Sequence, residues 1–287
     1  MAETWRELRD AARARLRAVG LEDPDLEVRW MVEAASGLSL AEQAAAARTE
    51  ADERHRRSFD AMVRRRADGE PLQYVLGRWG FRSLDLLVDP RVLIPRPETE
   101  VVAGLAIDAL AARTGTPVAV DLGTGSGAIA LAIAAERWPY VEVWATDASA
   151  DALAVARANL AGLGRRSAVV RNVEGDWYDA LPSEVRGTVD VIVSNPPYVA
   201  DADPLPPEVA EWEPSGALRS GPDGLDDVRR IVSAAPRWLR PDGVLVVEIG
   251  EAQADAALAL AAEAGLVDAR VHPDLAGRPR ALVARRG

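Results

Sequence analysis

The sequence contains no cysteine and no lysine, and its only two histidines, His55 and His272, lie far apart along the chain. Without cysteine there is no disulfide, thiolate metal site or sulfur nucleophile, and two isolated histidines do not furnish a metal centre, so no metal is expected. Positive charge is in deficit: 34 basic against 45 acidic residues give a net charge of −11. The summed field then repels a phosphate backbone, and direct nucleic acid binding is not expected. Long apolar runs are missing too. No stretch approaches about 18 uninterrupted apolar residues and Met1–Asp10 has no apolar core of an export signal, so a cytoplasmic protein without membrane attachment is expected. What remains is 287 residues with 48% hydrophobic content, enough to bury one large or two ordinary cores. Its Ala and Arg richness reads as the codon bias of a GC-rich genome.

The first 70 or so residues have helical periodicity. Trp5, Leu8, Ala12, Leu16 and Val19 form one apolar stripe that Gly20 can end in a left-handed conformation. Asp23-Pro24 predicts an N-cap followed by proline in the first turn, Ser39 with Glu42 a capping box, and Phe59, Met62, Val63 and Arg66 a later helix running to Gly69. Arg54, Arg56, Arg57 and Arg64 to Arg66 form a basic cluster, which is either a solvated helix face or a docking face for an acidic partner. Between Pro71 and Pro97 the pattern becomes short and alternating (Phe81, Leu84, Leu86, Val88, then Val92 to Ile94), which predicts a hairpin linker. Beyond it, strand-like runs at Val118–Asp121, Val141–Asp147, Ala168–Asn172, Val189–Ser194 and Val244–Ile249 alternate with Ala-rich helical stretches. Such alternation predicts a parallel sheet with helices on both faces. Ala269–His272 and Ala281–Ala284 complete it as two final strands, one of them antiparallel. The fold class expected is therefore α/β, a doubly wound seven-stranded, Rossmann-like sheet.

Chemistry concentrates at the ends of these strands. Gly123-Thr124-Gly125-Ser126-Gly127 lies between the first strand and a helix starting near Ala128. Its glycines let backbone approach a ligand closely, and a helix N-terminus offers unpaired N–H groups to an anion. The spacing Gly-x-Gly-x-Gly differs from the dinucleotide pattern Gly-x-Gly-x-x-Gly, which favours the methionine carboxylate of S-adenosylmethionine over a pyrophosphate. Tight packing of a strand-to-helix turn is the rival account. Asp147 ends the second strand, where a carboxylate can accept from ribose hydroxyls or else cap the helix near Ala150. Gly175-Asp176-Trp177 follows the third strand; Asp176 could meet an adenine amino group and Trp177 cover its face, or the indole could be core.

Asn195-Pro196-Pro197-Tyr198 follows the buried run Val191 to Ser194. Two prolines fix φ and carry no N–H, which leaves the Pro196 carbonyl available to accept from a ligand. Asn195 Oδ1 can accept a second bond, so two oxygens converge on an –NH₂ group, hold its nitrogen, and stabilise the positive charge that appears there during methyl transfer. Tyr198 supplies a wall for a planar group. In a doubly wound sheet the first and fourth strands are neighbours at the topological switch point. Gly loop and Asn195 should therefore open into one crevice.

These residues resemble the protein-(glutamine-N5) methyltransferases of peptide chain release factors, the PrmC/HemK family. The resemblance spans nearly the whole chain: Pro71 to Gly77, Val92 to Glu100, Asp121 to Ala134, Asn195 to Tyr198, Glu213-Pro214 with Ala217-Leu218, Gly221 to Leu225, and Asp274 to Arg278. Asn-Pro-Pro-Tyr is shared with adenine-N6 and other amino methyltransferases; Ile94-Pro95-Arg96-Pro97-Glu98-Thr99-Glu100 is far more specific. The resemblance implies a helical substrate-recognition domain over residues 1–76, a hairpin linker over 77–95 and a catalytic domain over 96–287. It implies S-adenosylmethionine as methyl donor, S-adenosylhomocysteine as product, and a monomer acting on the glutamine of the Gly-Gly-Gln loop of class I release factors. It further implies cofactor contacts from Gly123 to Gly127, Asp147, Trp177 and Asn195, with Asn195, Pro196, Pro197 and Tyr198 gripping the glutamine. Arg96, Glu98 and Thr99 either line the way in or serve hinge geometry and helix capping. The competing functions are an adenine-N6 methyltransferase acting on a flipped base, which the net charge disfavours, and a protein that keeps the fold without turnover.

Overall fold

The computed structural model describes Glu3–Gly287, which divide into two compact units. One comprises the chain up to Arg78 together with Pro206–Trp212; the other comprises Trp79–Leu205 and Glu213–Gly287.

The first unit is helical: α1 (Trp5–Ala18), α2 (Asp25–Ser36), α3 (Leu40–Ala45), α4 (Glu53–Ala67) and α5 (Leu72–Leu76). Thr4 and Ser39 each complete a capping box with the glutamate three residues on, satisfying N–H groups that the first helical turn leaves open. Trp5, Leu8, Ala12 and Leu16 are buried against Met31, Phe59 and Val63, and the Trp5 and Phe59 rings meet edge to face with centroids 6.0 Å apart. Val19 departs from the predicted stripe: it is the C-cap of α1 and 51% exposed, because the chain turns away at Gly20, φ +97°. Asp23 does not cap α2. Pro24 occupies the N-cap, and the Asp23 carboxylate instead accepts the Asp25 N–H at 3.3 Å, within its own turn. The basic cluster is largely satisfied internally. Arg56 and Arg57 each reach Glu53 at 2.7 Å, Arg65 Nε donates to Glu70 at 2.7 Å, and buried Arg66 pairs with Glu27 at 2.7 Å and Glu208 at 3.3 Å. The solvated-face account is therefore the better one for Arg56, Arg57 and Arg65, while Arg66 is a buried ion-pair partner.

The second unit begins with a two-stranded hairpin, β1 (Arg78–Phe81) and β2 (Leu84–Leu87), and α6 (Pro97–Ala111). Val92 to Ile94 lie outside it as irregular chain, with Val92 and Ile94 buried. There follow β3 (Val118–Leu122), α7 (Ala128–Arg137), β4 (Glu142–Asp147), α8 (Ala150–Gly162), β5 (Val170–Glu174), β6 (Val189–Ser194), α9 (Pro207–Trp212, which belongs to the first unit), α10 (Asp226–Trp238), β7 (Leu239–Glu248), α11 (Ala254–Glu263), β8 (Leu266–Pro273) and β9 (Pro279–Arg286). The seven-stranded sheet has the order β5-β4-β3-β6-β7-β9-β8, with β9 antiparallel to both neighbours. This is the doubly wound architecture the alternation predicted. β5 starts two residues later than predicted, since Gly164–Val169 winds into a 3₁₀ turn.

One face of the sheet buries Val102, Ala106, Leu110 and Ile133 beneath α6 and α7; the other buries Val228, Ile231, Val232 and Ala257 beneath α10 and α11. β6 lies between β3 and β7 and every residue from Val189 to Ser194 is buried, which is why Val191, Ile192 and Val193 follow one another without alternation. Its two polar residues are satisfied, Asp190 accepting the Val118 N–H at 2.9 Å and Ser194 donating to the Leu122 carbonyl at 2.7 Å. β3 and β6 are hydrogen-bonded neighbours, with Leu122 opposite Ser194, so the loops that follow them leave the sheet side by side. No helix among the described residues is long and apolar enough to cross a membrane.

Candidate active site

A cavity of about 510 Å³ opens at the C-terminal ends of β3, β4 and β6, the switch-point crevice where doubly wound sheets bind ligands. Its lining brings together Gly123, Thr124, Gly125, Ser126, Asp147, Trp177, Asn195 and Pro197, and adds Thr99 and Asp227. Gly127, Pro196 and Tyr198 are not part of the lining.

The floor is the turn after β3. Gly123, Gly125 and Gly127 have φ of +72°, +55° and +86°, which side-chain-bearing residues adopt only with strain. A Cβ on Gly127 would come within 3.0 Å of Leu131, and one on Gly123 within 3.0 Å of the Trp177 ring. Gly127 thus serves close packing beneath the loop, while Gly125 has no protein atom within 4 Å of where its Cβ would stand. Asp121 anchors the turn from below, accepting the Thr124 hydroxyl at 2.7 Å and the Ala130 N–H at 3.1 Å. Burial pushes its carboxyl up from an ordinary 3.8 to about 7, against those two bonds. Asn159 of α8, which has no local sequence signal, ties Ser126 to the hairpin: Nδ2 donates to the Ser126 and Leu87 carbonyls at 2.9 and 3.0 Å, and Oδ1 accepts Leu87 N–H at 2.7 Å.

Asp147 accepts the Gly125 N–H at 2.8 Å through Oδ2 and the Ser149 N–H at 2.9 Å through Oδ1. Ser149, not Asp147, caps α8, so the capping account of Asp147 fails and its carboxylate instead joins the ends of β3 and β4. Burial holds its pKa above the ordinary value, more than those two bonds lower it. Trp177 sits at φ +47°, an outlier for a bulky residue. Its ring lies on Gly123 and its Nε1–H donates to Asp227 at 3.2 Å. Strain of this sort, on the order of 1–3 kcal/mol, persists only where surroundings impose it, and it gathers at functional sites. Asp176, by contrast, is engaged by Arg230.

Asn195, following β6, lines the same cavity. Its Nδ2–H donates to Thr99 Oγ1 at 3.1 Å, which leaves Oδ1 as the amide's acceptor end. Thr99 reaches the site because Pro97 opens α6 beside β6; Arg96 turns instead to Glu213, and Glu98 to Arg278 at 2.9 Å. Of that trio only Thr99 lines the cavity. The turn after Asn195 is braced from behind: Gln253 Nε2 donates to the Tyr198 carbonyl at 3.0 Å, and Val199 exchanges bonds with Leu218 and Ser220 at 2.9 and 3.0 Å. These braces end on Tyr198 and Val199, not on the Pro196 carbonyl. Burial beside Glu248 raises the Tyr198 hydroxyl to about 12, so it remains protonated.

Glu248, the last residue of β7, escaped sequence reasoning; the only signal was one acidic residue closing the run Val244 to Ile249. It is fully buried, and burial pushes its carboxyl from an ordinary 4.5 to about 7, with Glu98 adding to that and Thr99, Arg280 and Tyr198 opposing it. Between those values the folded protein holds a proton that the unfolded chain has released, so this stabilisation is complete below 4.5 and is lost as pH rises through 7. Glu248→Gln is therefore expected to raise the thermal midpoint relative to wild type more on the alkaline side of that window than on the acid side. Paired melting curves across the window check this; a difference that grows toward acid pH contradicts it.

A glycine-lined cavity at the switch point of a doubly wound sheet, with Asn195 and Pro197 of the Asn-Pro-Pro-Tyr turn in its lining, is the arrangement of a Rossmann-like methyltransferase. Comparison narrows the class. Residues 7–77 match the PrmC N-terminal domain and residues 102–208 the methyltransferase small domain. A release factor glutamine methyltransferase of Geobacter sulfurreducens is 38% identical over 99% of this chain and 98% of its own length; one from Xylella fastidiosa strain 9a5c is 48% identical over 79% of this chain and 81% of its own. A methyltransferase from Pyrococcus furiosus has a similar fold, with TM-score 0.50 at 20% identity over 72% of this chain and 90% of that one. The chain belongs to the release factor glutamine methyltransferase family.

Proposed function

We propose that the chain transfers a methyl group from S-adenosylmethionine to the side-chain nitrogen (N5) of the glutamine in the Gly-Gly-Gln loop of class I release factors. The observation that carries this is Asn195: its Nδ2 is committed to Thr99, so its carbonyl oxygen is the group presented in a cavity shared with Gly125 and Asp147.

The chain's residues fit that cofactor. A volume of about 510 Å³ lies within the range of small-molecule sites. Gly125 leaves room where a side chain would stand, and the Asp147 side-chain oxygens lie in the cavity lining where ribose hydroxyls could reach them. Trp177 supplies an aromatic face for adenine. When bound, the sulfonium supplies an electrophilic methyl, and nitrogen takes it in line as the sulfur–carbon bond breaks. A primary amide is a poor nucleophile because its lone pair is delocalised, so the protein contributes orientation and charge stabilisation. Asn195 Oδ1 and the Pro196 carbonyl each accept one N–H, which fixes the nitrogen and favours the positive charge developing on it. The methylated nitrogen then sheds a proton to solvent, and no strong base is needed.

Incubation with labelled S-adenosylmethionine and release factor, followed by mass spectrometry, should place one methyl on the Gly-Gly-Gln peptide. Label entering only nucleic acid would transfer the assignment to the adenine-N6 class. Trp177→Ala is expected to weaken S-adenosylmethionine binding roughly 5- to 30-fold, at about 1–2 kcal/mol for the lost aromatic contact. Isothermal titration measures this, and unchanged affinity would return the indole to a packing role.

A further inference from the structure

The acceptor turn is wired to a carboxyl that methyl transfer itself does not require. Glu248 ends β7, the strand beside β6, and is fully buried. Its Oε2 accepts the Thr99 hydroxyl at 2.7 Å, Thr99 Oγ1 accepts the Asn195 Nδ2–H at 3.1 Å, and its Oε1 accepts the Tyr198 hydroxyl at 3.4 Å.

The direction of this chain follows from proton counting. A hydroxyl has one proton, and once Thr99 gives it to a carboxylate only lone pairs remain on its oxygen. Those lone pairs can be met only by the amino end of the Asn195 amide, so the carbonyl end must point the other way. Both ends of the Asn-Pro-Pro-Tyr turn, Asn195 and Tyr198, therefore report to a single acid.

Resting on the function proposed above, we propose that Glu248, acting through Thr99, sets which end of the Asn195 amide faces the acceptor nitrogen, and that Thr99 and Glu248 are positioning residues for methyl transfer. With Glu248 protonated on Oε2 the chain reverses: the acid proton goes to Thr99, the Thr99 proton turns toward Asn195, and the amide presents its amino end to the substrate. Two N–H donors then face each other and the glutamine loses its hold. The groups facing Glu248 are Thr99 and Glu98 from α6, Tyr198 from the turn and Arg280 from β9, and burial among them holds the carboxyl near neutrality.

The test uses the full chain with release factor as acceptor and labelled S-adenosylmethionine as donor. Thr99→Val keeps the shape but removes both bonds; kcat should fall roughly 10- to 100-fold, with cofactor Kd and thermal midpoint near wild type. Thr99→Ser restores the hydroxyl and should recover most of the loss. The wild-type kcat should decline as pH falls through neutrality, and Glu248→Gln should lose that acid limb while turning over more slowly than wild type on its alkaline side. Asp121, which titrates in the same range beneath the Gly loop, is present in both proteins and so cannot produce the difference. Thr99→Val with wild-type kcat overturns the proposal, as does a folded Thr99→Ser no better than Thr99→Val. Should Thr99→Val fail to fold, the pH profile decides, and an unaltered acid limb in Glu248→Gln overturns it. Wild-type protein that binds cofactor yet labels no release factor ends the functional assignment instead, and this proposal with it.

Discussion

Asn195→Ala should bind S-adenosylmethionine within a few-fold of wild type and lose on the order of 100-fold or more in turnover. On the proposed function, truncation removes the oxygen that would hold the acceptor nitrogen, and it leaves the Thr99 lone pairs without the Asn195 donor. The proposed cofactor contacts of Gly125, Asp147 and Trp177, which line the same cavity, would stay in place, so binding and chemistry should separate. Asn195→Asp is the sharper companion. It preserves an oxygen toward the substrate, but its second oxygen would confront a Thr99 hydroxyl whose proton already belongs to Glu248, and two acceptors repel. Single-turnover kinetics with direct cofactor titration distinguishes the two effects. Equal losses of cofactor affinity and turnover would make Asn195 chiefly a cofactor ligand.

Gly224→Ala should be nearly as damaging, although Gly224 does not line the cavity. Gly224 is buried at φ +72°, and a Cβ there would stand 2.3 Å from the Tyr198 carbonyl oxygen and 3.0 Å from the Ala200 nitrogen. Left-handed backbone costs an alanine about 1–2 kcal/mol; the clash adds to that, and it falls on backbone that Gln253 already pins. Either the loop or the Asn-Pro-Pro-Tyr turn must move. A displacement approaching 1 Å at the acceptor would cost roughly 10- to 100-fold in kcat, with a lowered thermal midpoint. Gly221→Ala is the control. Its φ of +76° carries a similar strain, but its Cβ would meet only the carboxylate end of exposed Asp226, which can swing aside. It should lower the melting point while sparing turnover. Wild-type kcat in Gly224→Ala would mean the turn tolerates displacement.

Much of this molecule could be read in one dimension because its signals are local. The alternation of apolar runs with Ala-rich stretches gave the sheet and its two helical layers, since a strand buried on both faces carries apolar residues in succession, as β6 does at Val191, Ile192 and Val193. The glycine turn announced itself through residues that tolerate positive φ, and Asn-Pro-Pro-Tyr through prolines that stiffen backbone wherever they occur. The switch point of a doubly wound sheet was enough to set the first strand, β3, beside the fourth, β6. Where local signals were ambiguous, the expectations split or missed. Asp147 served equally as cap or ligand until Ser149 was seen capping α8. The arginine cluster could be read as a solvated helix face or a docking face until Glu27, Glu53, Glu70 and Glu208 were found against it.

What the chain by itself determined, then, is the layout: which segments become strands, which turn stays open for a ligand, and which turn carries rigid acceptors. Only tertiary structure decided how that acceptor is aimed. Asn195 depends on Thr99, 96 residues earlier, and Thr99 on Glu248, 149 residues later; the Tyr198 carbonyl is held by Gln253, 55 residues later. A side-chain hydrogen bond needs two atoms within about 3 Å and imposes no spacing along the sequence, so no periodicity records it. Helices, strands and turns leave local marks because their bonds join near neighbours, whereas the polar network that orients an active site exists only after the sheet has brought its strand ends together.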